Sequence, residues 1–336
     1  MSRLPFQCIR LLCLAAAATA FYPSSAARAD SFSFSPLPAV PFEYAVEPKP
    51  FGIDGNRVVG TYYNEDSEYD HGFYYDGSSY TELGEDVDPY GISGNTIVGR
   101  YNSQGFTYDI PTMQFQYSQY GSYDSWFNAI DGSNIVGTYF DYTTFPSRRG
   151  FLYDGSAYTP IDPSGFFGVA GSTYLTAIHG DLVGGYFSKN IQPYLPESPF
   201  TYQISTGQYS EVVLPAAFSA DGNATQQLTG ISDQLMVGTY VSSLDGNNYI
   251  WLYDRAEGQF SSATPTDATW NGVTGGASGN KFVGYADDLT NTQIGYVAAF
   301  SAVPEIDPAG MGSVLALVTG ALGLIERRRL KAKAAA

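Results

Sequence analysis

Six copies of one strand pattern occupy the middle of the chain. In the first copy, a turn-like start at 52–56 leads into a strand with the order Val-Gly-x-Tyr, here Val59, Gly60 and Tyr62. Alternation of this kind places successive side chains on opposite faces of an extended strand. The turn-like starts begin at Gly52, Gly91, Ala129, Ala177, Gly230 and Gly276. The starts are 39, 38, 48, 53 and 46 residues apart, which indicates a repeat architecture.

Copies one to five continue with two further predicted strands, and the sixth copy continues with one. Phe73 and Tyr75 stand two positions apart in the next strand of the first copy, so both rings face the same side of the sheet. Asp76 and Gly77 then supply tight-turn chemistry before a third strand at Tyr80. The glycine of the Val-Gly-x-Tyr strand has no side chain to pack, which predicts a β-bulge or the close approach of a neighbouring sheet.

The ends of the array predict how it closes. The sixth copy stops at Phe300 after two strands, whereas an unmatched strand-like piece at 42–46 precedes the first copy. If that piece completes the last sheet, the sheets form a ring with few free edges. We therefore predict an all-β fold, a six-bladed β-propeller of three to four strands per blade over 42–303. It is closed by this N-terminal strand and follows a linker at 30–41. An open β-solenoid or a pair of sandwiches is the alternative.

Two stretches of the array resemble a known repeat family. Residues 71–77 (HGFYYDG) and 149–155 (RGFLYDG) each follow a Val-Gly-x-Tyr strand. They resemble the HAF-type extracellular repeats of bacterial exported proteins, over about residues 52–300. The fourth copy departs from the pattern, because Pro199 replaces the glycine before Phe200. The resemblance implies an extracellular all-β array and implies no catalytic residues.

The N-terminus has the order of a secretory signal peptide. Arg3 and Arg10 supply positive charge, residues 11–21 are apolar, and small residues at 27–29 offer a cleavage site. We therefore predict a signal peptide over 1–29 and an exported mature protein. A retained membrane anchor is the alternative.

The C-terminus combines a short motif, an apolar run and a basic cluster. The apolar run at 309–325 would be roughly 26 Å long as a helix, just enough to cross a hydrocarbon core. This order resembles the PEP-CTERM sorting signal, which exosortase recognises in Gram-negative bacteria. The sequence departs from that family at 306–308, where Ile-Asp-Pro stands in place of a proline directly after the glutamate. The residues that carry the resemblance are Val303, Pro304, Glu305, Arg327, Arg328 and Arg329.

The resemblance implies a destination and a partner. Residues 304–336 would be a sorting signal with a transmembrane helix at 309–325, and an exosortase-type processing enzyme would act on it. The basic cluster would stay cytoplasmic, so the inner membrane would hold the tail transiently before processing. The body would then reside in the cell envelope or outside the cell. A plain single-span tail anchor is the alternative.

The net charge and the small number of reactive side chains limit the functions that the chain can have. The whole chain has a net charge of −17, and residues 30–303 retain 8 basic and 30 acidic residues, which gives −22. Such a surface repels phosphate, so nucleic acid is excluded as a partner. Cys8 and Cys13 lie in the predicted signal peptide, and His71 and His179 are the two histidines. We therefore predict no catalytic residues, no metal site and no cofactor.

Two acidic stretches, 65–70 and 82–88, allow more than one interpretation. Calcium binds oxygen ligands from flexible loops, but the chain lacks the Asp-x-Asx-x-Asx-Gly loop, so solvated loops are favoured. Two carboxylates about 5 to 10 Å apart could also cleave a glycosidic bond, which would require a deep pocket.

Aromatic residues in predicted loops are the candidate binding surface. Sugars stack their C–H faces on tyrosine and tryptophan rings, and the candidate ligand contacts are Tyr123, Trp126 and Tyr142. Packing of these rings within the loops is the alternative. The leading functional hypothesis is a non-enzymatic repeat protein with a structural or interaction role. A propeller that binds carbohydrate or exopolysaccharide is the alternative, and a glycan-active enzyme is less favoured.

Overall fold

The protein is an all-β, six-bladed propeller, as predicted. The computed structural model describes residues 31–143, 147–189, 197–215, 218, 225–241, 246–263, 268–288 and 292–301. These ranges contain 24 strands in six four-stranded antiparallel sheets, together with one α-helix, α1 (Ser164–Phe167). Each sheet is one blade, and each blade has four strands.

Blades one to three each use four consecutive strands, from the inner strand beside the axis to the outer strand at the rim. Blade one contains β2 (Ala45–Asp54), β3 (Arg57–Asn64), β4 (Tyr69–Tyr75) and β5 (Tyr80–Glu85). Blade two contains β6 (Val87–Ser93), β7 (Thr96–Tyr101), β8 (Gln104–Asp109) and β9 (Gln114–Ser118). Blade three contains β10 (Ser125–Asp131), β11 (Asn134–Phe140), β12 (Arg148–Tyr153) and β13 (Tyr158–Ile161).

Blades four and five repeat this order, whereas blade six takes its outer strand from the other end of the chain. Blade four contains β14 (Gly171–His179), β15 (Leu182–Lys189), β16 (Glu197–Gln203) and β17 (Gln208–Glu211). Blade five contains β18 (Gln226–Ile231), β19 (Leu235–Val241), β20 (Asn248–Asp254) and β21 (Gln259–Ala263). Blade six contains β22 (Ala268–Ser278), β23 (Lys281–Asp288), β24 (Gln293–Ser301) and β1 (Ser31–Pro36).

The closing strand is β1, which corrects the predicted linker at 30–41 and the predicted closing strand at 42–46. β1 pairs antiparallel with β24, and Ser31 lies opposite Ser301. The alternating Phe32 and Phe34 side chains pack onto the core of blade six. In contrast, residues 45–46 begin the inner strand of blade one. The Ser/Pro-rich composition of β1 hid a strand whose period-two alternation is regular.

The inner strands correct a second prediction. The residues predicted as turn-like starts include the last residues of these strands. In blade one, 52–54 end β2, and the turn to β3 spans only Gly55 and Asn56. The Val-Gly-x-Tyr strand is therefore the second strand of each blade. In the fourth copy the Val-Gly-x-Tyr pattern, Val183 to Tyr186, predicts Gly184 at this position. The structurally equivalent glycine is instead Gly185, since Gly185 lies opposite Leu175 next to the bulge of the inner strand.

The glycine of each second strand lies against the inner strand of its own blade. A Cβ atom built on Gly137 would be 2.1 Å from the carbonyl oxygen of Trp126. The inner strand has its β-bulge just beyond this point, between Phe127 and Ala129. The predicted close approach therefore occurs within one sheet, and the bulge belongs to the partner strand. The six equivalent glycines, each with a built Cβ 1.9 to 2.3 Å from a carbonyl oxygen, are Gly60, Gly99, Gly137, Gly185, Gly238 and Gly284.

Hydrogen bonds between turns join neighbouring blades at one end of the propeller. A backbone N–H of one inner hairpin turn donates to the side chain that precedes the equivalent glycine in the adjacent blade. The four bonds run from Gly55 to Ser278, from Gly94 to Asp54, from Gly132 to Ser93 and from Gly180 to Asp131, over 2.6 to 3.1 Å. The turn chemistry of the repeat thus also connects one blade to the next.

The predicted terminal segments cannot be compared with the fold. The signal peptide at 1–29 and the sorting signal at 304–336 lie outside the described residues. Within the ranges given above, no helix is long and apolar enough to cross a membrane.

Replacement of Gly137 by alanine should destabilise the propeller by about 3 kcal/mol, because the new Cβ would overlap a backbone carbonyl that cannot move independently of its strand. Urea unfolding of the purified body checks this value. Gly165→Ala is the matched control, since nothing lies within 4 Å of a Cβ there. Equal midpoints for the two variants would contradict the proposed packing constraint.

Candidate functional site

The strand directions define two faces of the propeller. Every inner strand ends at the hairpin turns that carry the interblade hydrogen bonds, and we call this end the lower face. The upper face carries the loops between second and third strands and the loops between blades. All three candidate ligand contacts lie at the upper face: Tyr123 precedes β10, Trp126 is its second residue, and Tyr142 follows β11.

The central channel is nearly filled. Its free volume is about 50 Å³, which suits one or two water molecules rather than an organic ligand. Phe51 and Tyr90 meet edge to face in it, with ring centroids 5.5 Å apart. On the other side, the Thr229 and Thr274 hydroxyls are 2.7 Å apart. The channel is therefore too small for an organic ligand, and the upper mouth is the candidate binding surface.

A partly buried ion pair lies within blade two at the upper mouth. Asp88 is only 9% exposed and accepts a 2.9 Å hydrogen bond from Nε of Arg100. Burial raises the pKa of Asp88, and the positive charge of Arg100 opposes that rise. The Arg100 guanidinium also lies over the Trp126 ring, 4.6 Å from its centroid. Arg100 thus occupies a position over the indole that a stacked sugar would need.

A second guanidinium, that of Arg148, lies among aromatic rings between blades three and four. Its Cζ atom is 5.0 Å from the Phe140 centroid and 5.1 Å from the Tyr174 centroid. Its Nη1 donates a 2.9 Å hydrogen bond to the Tyr174 hydroxyl. No carboxylate of the described residues lies within 4.0 Å of Arg148. This cation therefore has donors that no acidic side chain in these ranges neutralises.

Tyr142 is the exposed ring of this aromatic group. It is 71% exposed and stacks on Phe140 with ring centroids 6.0 Å apart. Its hydroxyl donates a 2.9 Å hydrogen bond to the Asp124 carboxylate, and this bond raises the pKa of Tyr142. One partner thus supports the ring and another holds its hydroxyl, which leaves the ring presented to solvent.

The three candidate contacts do not form one patch. Trp126 packs edge to face on Phe140 at 4.7 Å, so it shares a cluster with Tyr142. Tyr123 instead stacks with Tyr120 at 6.2 Å and contacts Tyr139 at 5.3 Å. The structure therefore brings together two of the three residues and places the third in a separate tyrosine group.

The two acidic stretches meet in a pocket between blades one and two at the upper face. Its volume is about 500 Å³, and Arg100 forms part of its wall. Asp70 faces Lys49 over 3.8 Å. Among the described residues, no group of three or more histidine, cysteine or acidic side chains is arranged to hold a metal ion. The carboxylates that line this pocket are Glu68, Asp70, Asp86 and Asp88.

The two histidines belong to different environments. His71 lies in β4, where Nδ1 is 2.7 Å from the Glu82 carboxylate and Nε2 is 3.0 Å from the Ser67 hydroxyl. His179 is the last residue of β14 at the lower face, and its Nδ1 is 4.0 Å from the Asp131 carboxylate. Since they occupy different blades and different partners satisfy them, the two side chains do not form a joint site.

The polar side chains of the upper mouth continue into blades four and five. Tyr186 stacks on Tyr174 with centroids 4.5 Å apart, and burial together with Glu197 raises the pKa of Tyr186 well above its usual range. Burial also raises the pKa of Glu197, whereas a 2.8 Å hydrogen bond donated by Gln227 opposes that rise. The mouth therefore carries cations in blades two and three and a half-buried acid in blade four.

The chain is similar to several solved structures at low sequence identity. No family model and no curated protein matches the chain. The β-propeller domain of the Trilobed protease from Pyrococcus furiosus is 10% identical, with 80% of this chain and 98% of that chain covered and a TM-score of 0.47. YjhT is 11% identical, with 81% and 98% covered and a TM-score of 0.49. An acylaminoacyl peptidase from Pyrococcus horikoshii is 12% identical, with a TM-score of 0.46, and 81% of this chain covers 54% of that protein.

Sequence reasoning missed Arg100, Arg148 and Glu197. The available signal was the scarcity of basic residues, since residues 30–303 hold only 8 of them against 30 acidic ones. A cation within a strand of such a body requires a specific partner or a specific use. The two arginines stand in strands β7 and β12, near the upper ends of both.

Replacement of Glu197 by glutamine should raise the free energy of unfolding by about 1 kcal/mol near pH 8 and change little near pH 4. A carboxyl whose pKa is raised by folding favours the native state while protonated, and this contribution is lost as the pH rises through the folded-state pKa. Urea unfolding at both pH values checks the difference. Glu211→Gln, on the exposed outer strand β17, is the control, and an equal response of both variants would refute the assignment.

Proposed function

We propose that this protein is an exported, non-enzymatic interaction protein of the cell envelope or extracellular matrix, sorted by an exosortase-type system. The observation that carries the proposal is the pairing of Ser31 with Ser301. Both ends of the body meet there, at the rim of blade six. The proposed signal peptide and sorting tail would therefore join the body at one place.

The direction of the strands supports display of the upper face. The third strand of blade six, β24, ends at the lower face, and β1 begins there. A strand of eight residues is about 26 Å long, so the upper loops lie roughly that far from the attachment point. The upper loops are therefore the part of the body farthest from the point where its first and last strands meet.

Deletion of residues 304–336 should move the protein from the membrane fraction to the soluble exported fraction, because the proposed sorting motif, apolar run and basic cluster are removed together. Cell fractionation followed by immunoblotting measures the distribution. Replacement of Lys331 and Lys333 by alanine is the control, since it leaves Pro304, Glu305 and the Arg327–Arg329 cluster in place. Unchanged fractionation of the deletion variant would refute the sorting proposal.

A second candidate function is carbohydrate or exopolysaccharide binding through the upper face. The observation that favours it is the solvent-exposed Tyr142 ring, supported by Phe140 and fixed by Asp124. An aromatic ring held in one orientation loses little entropy when a sugar stacks on it. The nearby Arg148 supplies donors for sugar oxygens. In this proposal Trp126 lies beneath Arg100 and supports the Phe140 and Tyr142 rings.

Replacement of Tyr142 by alanine should weaken retention on an exopolysaccharide by about tenfold, which corresponds to about 1.4 kcal/mol for one stacked ring. Affinity electrophoresis through gels that contain the polysaccharide provides the measurement. Met113→Ala is the control, because Met113 is an exposed apolar side chain in a turn of the lower face. Equal retention of the wild-type protein and the Tyr142 variant would exclude this residue as a contact.

A further inference from the structure

A groove opens between blades two and three, away from the upper mouth. Its volume is about 500 Å³, within the range of small-molecule sites. Strands β8 and β9 supply one wall, and β10 and β11 of blade three supply the floor. The lining residues that matter for its chemistry are Thr107, Gln114, Gln116, Phe127, Ile130 and Tyr153.

The repeat explains why the groove is there. Thr107 lies opposite Val98, and the equivalent position in blade three holds Leu152, opposite Val136. Leu152 is buried in the contact with blade four, whereas Thr107 is half-buried and lacks the atoms to fill the same space. The other apolar residues at this position are Tyr74, Leu252 and Val297.

Blade four shows that threonine alone does not open a groove. Thr201 occupies the equivalent position opposite Gly184 and is only 8% exposed. The space beside Gly184 is taken by Leu228 and Ile231 of blade five. In blade two the corresponding space beside Thr107 is open, so the groove depends on the pairing of blades two and three.

The chemistry of the groove is amphipathic and carries no positive charge. Phe127 and Ile130 lie buried beneath the groove, and the half-buried Tyr153 ring, whose centroid is 6.3 Å from that of Phe127, is the apolar surface that blade three presents. Threonine hydroxyls and glutamine amides line the walls. No lysine, arginine or histidine is among the described side chains that line it. Its carboxylate, Asp109, accepts hydrogen bonds from the Thr112 hydroxyl and backbone N–H, which hold the pKa of Asp109 below its usual range.

We infer that this groove binds an uncharged segment of a polysaccharide chain. The half-buried Tyr153 ring suits the C–H face of a sugar, and the amides of Gln114 and Gln116 suit its hydroxyls. An anionic polymer would find no cation in the groove and would be repelled by a body with a net charge of −22. The site is separate from the upper-face aromatic cluster, so the inference does not depend on the proposed function.

The test fills the groove with a side chain that other blades have at the equivalent position. Thr107→Leu supplies the side chain that stands at the same position in blades three and five, so the blade should keep or gain stability. Affinity electrophoresis with dextran, with galactomannan and with anionic alginate measures binding. Wild-type protein should be retarded by at least one of the two neutral polymers, and Thr107→Leu should weaken that retardation by about fivefold or more.

Two further variants make the outcome decisive. Thr159→Leu adds the same atoms to an exposed strand position outside the groove and should bind like wild type. Gln116→Ala removes an exposed amide from the groove wall, and it should weaken binding in a protein with an unchanged melting temperature. Retardation by alginate only, no retardation by either neutral polymer, or equal binding by Thr107→Leu and Thr159→Leu would overturn the inference. Tyr142→Ala tests the upper face separately, because its loss leaves the groove intact.

Discussion

The propeller depends on one backbone contact that is repeated in every blade. A carbonyl of the inner strand approaches a glycine of the second strand so closely that no Cβ fits between them, as Trp126 and Gly137 illustrate. The approach places the inner-strand bulge beside the axis, where Thr229 and its neighbours close the channel. Because the channel is closed by the inner strands themselves, binding chemistry is restricted to the upper mouth and to the seams between blades.

Period and composition predicted part of this architecture. The aromatic pairs and tight turns identified six copies because second and third strands alternate regularly. The inner strands escaped detection because a bulge shifts the alternation by one residue, and because Pro50 and Pro89 are unusual within strands. At the site, exposed Tyr142 followed from its loop position. The cover that Arg100 places over Trp126 is a contact between blades, which no local pattern reports.

The few basic side chains of the body mainly connect one blade to another. Arg57 of blade one donates to the Gly94 carbonyl of blade two, and Arg148 of blade three donates to Tyr174 of blade four. Lys281 of blade six reaches Asn56 of blade one over 2.6 Å. In a strongly acidic body these contacts oppose the repulsion between blades, and they add to the turn hydrogen bonds on the lower face.

The seam between β1 and β24 sets how the body responds to force. Its two ends leave from the same end of one antiparallel pair, so tension between them acts first on the hydrogen bonds beside Ser31 and Ser301. Because the load acts on one hydrogen bond at a time, these bonds break one after another, and each of them breaks at low force. Mechanical opening would therefore begin at the rim of blade six and peel β1 away before any other sheet is disturbed.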